Sequence, residues 1–185
     1  GTPVKPNPKY GSFKYSRPMT RGIDVRVAAI IERDGRFLMV EERAGDKLVL
    51  NQPAGHLEQG ESLVAAAARE APRETGHRFD PDHFVGFYLW RSPDADTTYL
   101  RIAFCGSVAP SADVAATSLD DGIVAVHWLS RIQLLRRNHQ LRSPMVLRCI
   151  DDYLTGQRYS LDCLTYLEHR AVDIDATDVR LRAFT

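Results

Sequence analysis

The chain has 185 residues, enough for one domain with a proper hydrophobic core. Its 44% hydrophobic and 26% charged residues are ordinary for a globular protein, and its formal net charge is zero. These values exclude a global field that would draw nucleic acid or a membrane surface, and no apolar run is long enough to span a bilayer as a helix.

Residues 1–22 carry Lys5, Lys9, Lys14, Arg17 and Arg21 and no acid, with Pro3, Pro6, Pro8 and Pro18 among them. They read as a basic, extended arm without a helix-turn-helix pattern, and Met19 is a candidate native start. From Asp24 the pattern changes. DVRVAAII reads as a strand, Asp34-Gly35 is a hairpin signal, and RFLMVEE from Arg36 to Glu42 is the returning strand. Leu48 to Leu50 is a short apolar piece, and Asn51 to Gly55 reads as a turn. A helix follows, capped at its start by Ser62 or Glu61 and ended by Gly76. Phe84 to Arg91 and Thr98 to Val108 are two further strands, joined by turn chemistry over Ser92 to Asp96. Ile123 to Leu129 is another strand, Ser130 to Arg136 a short helix, and Ser143 to Leu154 a longer one with Pro144 in its first turn and Gly156 as its stop. Strands on both sides of a central helix predict a mixed sheet covered by helices, an α/β fold. No apolar leader follows the N-terminus, and Cys105, Cys149 and Cys163 are odd in number and widely spaced. They fit reduced thiols of the cytoplasm better than disulfides or a zinc site. His56, His83, His127 and His139 show no metal-ligand spacing and read as structural or surface residues.

The segment Gly55 to His77, GHLEQGESLVAAAAREAPRETGH, concentrates glycine, carboxylates and arginine. Glu70 and Glu74 are four residues apart, so on a helix they share one face and could together hold a hard divalent cation such as Mg²⁺. Ala65 to Ala68 make the intervening segment strongly helical and thin enough to pack closely.

These residues resemble the Nudix box, Gly-x5-Glu-x7-Arg-Glu-U-x-Glu-Glu-x-Gly-U, where U is bulky and aliphatic. Gly55, Glu61, Arg69, Glu70, Glu74 and Gly76 fall in register with it. Arg73 stands where the family has the first of its paired glutamates, Ala71 and His77 replace the bulky residues, and Pro72 sits between Ala71 and Arg73. The run Asn51 to Glu58, together with LRSP at Leu141 to Pro144 and TGQRY at Thr155 to Tyr159, is similar to the NudJ-type phosphatases, a bacterial subgroup of the same family.

The resemblance implies an α/β/α sandwich around a mixed sheet, with a Nudix domain over 23–168 between the arm and a tail at 169–185. It implies hydrolysis of nucleoside di- and triphosphates and of thiamine-pathway pyrophosphates, with a small-molecule substrate, a Mg²⁺ or Mn²⁺ ion and no nucleic-acid or membrane partner. Glu70 and Glu74 would hold the ion, with the Gly55 carbonyl a third ligand by family analogy. Arg69 would position Glu70 or Glu61 through a charge-assisted hydrogen bond. Glu61 would fix the loop or reach the ion through water. The general base is open among Glu58, Asp120 and Asp121. Arg101 and Trp90 are candidates to line the substrate pocket, Trp90 by stacking on a ring or by packing in a core or interface. Arg142 and Arg158 would meet a distal phosphate or serve as surface and capping residues. The C-terminal helices and tail offer a surface for a homodimer.

The departures carry their own expectations. Pro72 removes one helical hydrogen bond, a cost of about 3 kcal/mol in a helix interior, so the helix should kink or unwind there. Ala71 should leave that turn without an apolar anchor. Arg73 could pair with Glu70 and repel a second cation, point outward, or touch substrate phosphate. The rival reading is a degenerate Nudix domain that binds a nucleotide or a protein partner without efficient hydrolysis.

Overall fold

Alternation along three strands decides the layers. In a computed structural model that describes residues 22–93, 96–110 and 119–167, Val27, Ala29 and Ile31 face one apolar cluster while Ile30 faces another. Leu38 and Ile102 join the first cluster, and Phe37, Met39, Ala103 and Cys105 join the second. A strand sends successive side chains to opposite faces, so both faces must be covered. The helix α1 (Leu63–Thr75) covers one with Ala66, Ala67 and Ala71. The helix α3 (Met145–Leu154) covers the other with Val146, Cys149 and Ile150, assisted by Leu134 of α2 (Arg131–Arg136).

The main sheet has five strands in the order β5-β1-β7-β6-β9. Strand β1 (Asp24–Ile30) runs parallel to β7 (Thr98–Pro110) and antiparallel to β5 (Ala54–His56). Strand β6 (His77–Arg91) lies antiparallel to β7 and carries two register shifts, and β9 (Tyr159–Ser160) pairs with it at His83 and Phe84. The second sheet is built on β3 (Arg36–Ala44), which pairs with β2 (Glu32–Arg33), β4 (Lys47–Asn51) and β8 (Ile123–Ser130). The result is the mixed, helix-covered α/β fold expected.

Several elements fall where the sequence places them. Asp34 and Gly35 take φ of 51° and 72°, the left-handed pair a two-residue hairpin turn requires. Ser62 caps α1, its Oγ accepting from the Ala65 N–H, and Gly76 closes it at φ 72°. Ser130 and Gln133 form a capping box on α2.

Others differ. Ala54–His56 is a strand, because its backbone pairs with β1, where a turn is expected from Pro53 and Gly55. Strand β6 starts at His77, seven residues early, and the shifts near Pro81 absorb the proline's missing donor. The helix α1 continues through Pro72 to Thr75. Ala71 is fully buried against the α1-side cluster, so the turn is anchored by a small side chain packed closely, without a bulky one. Pro144 is the N-cap of α3, one place before its first turn. The arm expected over 1–22 (apart from Gly22) and the tail over 169–185 lie outside the described residues. No helix among the described residues is long and apolar enough to cross a membrane.

Candidate active site on helix α1 and the neighbouring pocket

Strand β5 delivers Gly55 directly beneath the Glu70 carboxylate. A Cβ built on Gly55 would sit 2.1 Å from Glu70 Cδ, a distance no side chain tolerates, so glycine is required there for the carboxylate to seat. One residue earlier, the Ala54 N–H donates to Glu74 Oε2 at 2.8 Å. The two carboxylates therefore meet the same three-residue strand from one helix face.

Arg69 organises the approach. Its Nε and Nη2 donate to the two Glu61 oxygens at 2.9 and 2.6 Å, a bidentate pair. Nη1 donates to Glu70 Oε1, and Nη2 also reaches the His56 carbonyl at 3.1 Å. Glu61 in turn accepts from the Glu58 N–H at 2.7 Å, which closes the loop onto the helix start. The Arg69 hydrogen bond holds the Glu61 carboxyl below its ordinary pKa, and the paired carboxylates raise that of Arg69. Both groups stay charged at neutral pH.

Glu74 is different. Burial, reinforced by Glu42, Glu70 and Asp120 nearby, pushes its pKa up to about 8 against the opposing Ala54 hydrogen bond. Three further carboxylates thus stand around it, contributed by β3, α1 and the turn before β8. Of the candidate bases, Glu58 lies 3.3 Å from Arg69 Nη1 and Asp120 lies 3.3 Å from Arg73 Nη2, so both reach the cluster, while Asp121 is exposed in the turn. Glu42 was not legible from sequence. It is one of two adjacent glutamates on β3, and only the pairing with Asn51 of β4 (3.2 Å) shows which of them turns toward the site. Arg73 pairs with Glu70 at 3.6 Å and with Asp120, and about half of its side chain stays exposed.

The donor set fits a hard divalent ion. It consists of carboxylate oxygens on one helix face, one of them buried and without a basic side chain bonded to it, beside a glycine cradle that admits the Glu70 carboxylate. Another grouping, Asp82, His83 and Cys105, has potential ligand atoms within 4.8 Å of one another. Register pairing of His83 with Cys105 creates it, which spacing along the chain does not reveal. Burial holds the Cys105 thiol up at about 11, and His83 Nδ1 lies 2.8 Å from Asp82, so without an ion the thiol stays protonated and the ring is engaged.

On the α3 side lies a pocket of about 510 Å³. It collects three of the four substrate candidates, Trp90, Arg101 and Arg142, together with Arg26, Lys47 and His139, and no aspartate or glutamate lines it. Trp90 stacks on Tyr99 with centroids 5.9 Å apart and planes at 21°, and the Arg26 guanidinium lies 5.6 Å from the Tyr99 ring. Arg142 is brought there by the backbone: Leu141 bridges to Leu50, and the Arg142 N–H donates to the Leu50 carbonyl at 2.9 Å. Arg158 is elsewhere, 3.6 Å over the Tyr153 ring and bonded to the Tyr153 and Gln157 carbonyls, a packing role. Tyr99 shares a strand face with Arg101 two residues on, a parity signal available in the sequence. Lys47 and His139 come from distant segments and had none.

Arg101 is buried at the pocket wall, 3% exposed, and its partners are neutral: Gln52 Oε1 at 2.7 Å and Asn51 Oδ1 at 2.9 Å. Gln52 spends its amide nitrogen on the Val146 carbonyl at 2.7 Å. The Cys149 thiol lies against Arg101, but burial pushes it up to about 11, so it supplies no counter-charge. Burial lowers the Arg101 pKa, while the delocalised guanidinium keeps its proton. Glu42 links the two regions, since Asn51 donates to it and Arg142 Nε lies 4.0 Å from it.

Comparison with known proteins identifies the family. A NUDIX domain family model matches residues 20–149. Phosphatase NudJ of Shigella boydii and that of Escherichia coli K12 are each 40% identical over 140 residues, covering 76% of this chain and 89% of theirs. The solved structure of a NUDIX hydrolase from Nitrosomonas europaea is 44% identical and superposes with a TM-score of 0.76 over 80% of this chain and all of that one. The family match and the fold lead to one conclusion: the chain belongs to the Nudix family and is a hydrolase of phosphorus-containing anhydrides.

Proposed function

We propose that this protein is a Mg²⁺- or Mn²⁺-dependent phosphohydrolase that cleaves the phosphoanhydride bonds of nucleoside di- and triphosphates and of thiamine-pathway pyrophosphates. The observation that carries the reading is the seating of Glu70 against Gly55 beside the buried Glu74, next to a basic pocket walled by stacked rings.

Glu70, Glu74 and the Gly55 carbonyl are the ligands for the ion. A bound divalent ion neutralises phosphoryl charge and lowers the pKa of a coordinated water. Arg69 is a positioning residue: its fork fixes Glu61 and Glu70 together, so the carboxylates keep one geometry before substrate arrives. Glu61 holds the loop through the Glu58 N–H. Glu58 and Asp120, within reach of the same cluster, are the candidates to take a proton from the attacking water. On the other side, Arg101 and Arg142 attract the anionic substrate, and Trp90 with Tyr99 stacks on a flat pyrimidine or purine ring. The relatives named phosphatase NudJ support release of phosphate. Three free thiols, two of them buried, suit a reducing compartment such as the cytoplasm.

A second reading is favoured by Arg73, whose guanidinium stands among the acids. In that reading the domain binds its ligand and turns it over poorly. Phosphate release from a panel of nucleotides and thiamine pyrophosphate, with and without Mg²⁺ or Mn²⁺, separates the two. Turnover that needs the ion is expected. Glu70→Gln should lower it by more than the roughly 10–100-fold that losing a group one contact away from a metal costs. Ring-selective binding without turnover would favour the second reading.

A further inference from the structure

Three carboxylates from three segments converge on one guanidinium. Arg73 Nη1 lies 3.6 Å from Glu70 Oε1 and 3.9 Å from Glu58 Oε1, and Nη2 lies 3.3 Å from Asp120 Oδ2. The backbone reinforces the last contact, because the Asp120 N–H donates to the Arg73 carbonyl at 3.1 Å. Arg73 therefore ties the last turn of α1 to the loop after β5 and to the turn before β8.

Arg69, the other arginine on this face, gives two hydrogen bonds to Glu61, one to Glu70 and one to the His56 carbonyl, and its Nη1 also lies 3.3 Å from Glu58, which leaves Asp120 to Arg73. Without Arg73, the carboxylates of Glu58, Glu70, Glu74 and Asp120 would face one another with Arg69 as their nearby cation. Oxygen donors grouped in that way recruit hard divalent ions. A guanidinium placed between Glu70 and Asp120 supplies positive charge at the same point and, unlike an ion, cannot dissociate.

We infer that Arg73 is a tethered cation occupying a divalent-ion position, so that the chain binds one fewer ion than its carboxylates could hold. The inference rests on the reading that Glu70 and Glu74 hold the catalytic ion, and it specifies what completes that site. About half of the Arg73 side chain is exposed (48%), so the guanidinium also presents N–H donors to solvent, where a phosphoryl oxygen could replace water.

Counting Mn²⁺ tests it without reference to turnover. Electron paramagnetic resonance of free Mn²⁺, with calorimetric titration, would be run on the full chain, Arg73→Glu, Arg73→Gln and Glu70→Gln, with circular dichroism reporting the fold of each. Arg73→Glu is expected to bind one additional Mn²⁺ per chain over the parent. Arg73→Gln is expected to tighten Mn²⁺ binding about tenfold, which corresponds to about 1.4 kcal/mol. If parental binding is weakened by Glu70→Gln but Arg73→Glu gains no ion, Arg73 does not occupy an ion position and the inference alone falls. If Arg73→Glu does not fold, unchanged number and affinity in Arg73→Gln overturns it equally. If Glu70→Gln leaves parental Mn²⁺ binding unaltered, the metal site itself has been misassigned, and the inference goes with it.

Discussion

The two sides of the main sheet near β5 are built from opposite charges held in opposite ways. On the α1 side, carboxylates outnumber arginines, and each arginine grips at least two of them. On the α3 side, basic side chains line a pocket without an acid, and its buried arginine is held by amide oxygens. Acids are thus in excess on the α1 side, while on the α3 side Arg26 is paired with Asp24 and the buried Arg101 is held by neutral amides. A protein with zero net charge can attract an anion only by such local separation. The division also assigns labour: the acidic side should govern chemistry, and the basic side should govern binding.

Substitutions can break that division, and the largest effect is expected from Gly55→Ala. The added Cβ must displace Glu70 or the β5 backbone, so kcat should fall by at least about tenfold and stability by about 1–3 kcal/mol, measured by steady-state kinetics and thermal melting. A normal kcat in a folded Gly55→Ala protein would mean that the Glu70 seat is irrelevant to turnover. Next, Trp90→Ala should raise KM for ring-bearing substrates about tenfold, within the roughly 1–3 kcal/mol of a ring stack, with little change in kcat. It should not alter KM for tripolyphosphate, which has no ring. An equal loss on both substrates would place Trp90 in the packing of β6 and not in recognition.

The acidic side has a pH signature in the metal-free protein. The Glu74 pKa is about 8 in the folded chain against an ordinary 4.5, so the folded state holds the proton more tightly than the unfolded state. Its contribution to stability is complete below about pH 4.5 and is lost as pH rises through about 8. In EDTA the melting temperature should therefore decline across that window, and Glu74→Gln should remove this component. A divalent ion should flatten the decline by pairing with the ionised carboxylate. The smallest effect belongs to neither side: Ser62→Ala loses the α1 cap and should cost about 1 kcal/mol in stability while kcat and KM stay as they are. A change in KM there would show that the helix start moves with the substrate pocket.

Local chemistry made much of this legible. The Asp34-Gly35 turn, the Ser62 and Gly76 caps and the shared face of Glu70 and Glu74 each follow from a few adjacent residues. What escaped depends on pairing across distance. Strand β5 exists because β1 accepts its backbone, although Pro53 and Gly55 argue for a turn. Strand β6 accommodates Pro81 through register shifts that only its partner defines. Glu42 enters the site by the pairing of β3 with β4, and Lys47 and His139 reach the pocket from segments far apart in the chain. Arg101 shows both limits: its strand position could be read, but its burial among neutral partners could not. Ala71 departs from expectation because close packing of a small side chain anchors a turn as well as bulk does.

The way Gln52 holds Arg101 leaves that buried charge uncompensated at the pocket wall. Its nitrogen must donate to the Val146 carbonyl, which fixes its oxygen on the guanidinium. Replacing that amide by a carboxylate exchanges one NH₂ for one oxygen, yet it would cancel the buried positive charge and set a lone pair against the Val146 carbonyl. One amide nitrogen, facing away from the guanidinium, thus keeps the Arg101 charge uncompensated. A carboxylate there would remove one of the positive charges around the pocket and leave those of Arg26, Lys47 and Arg142.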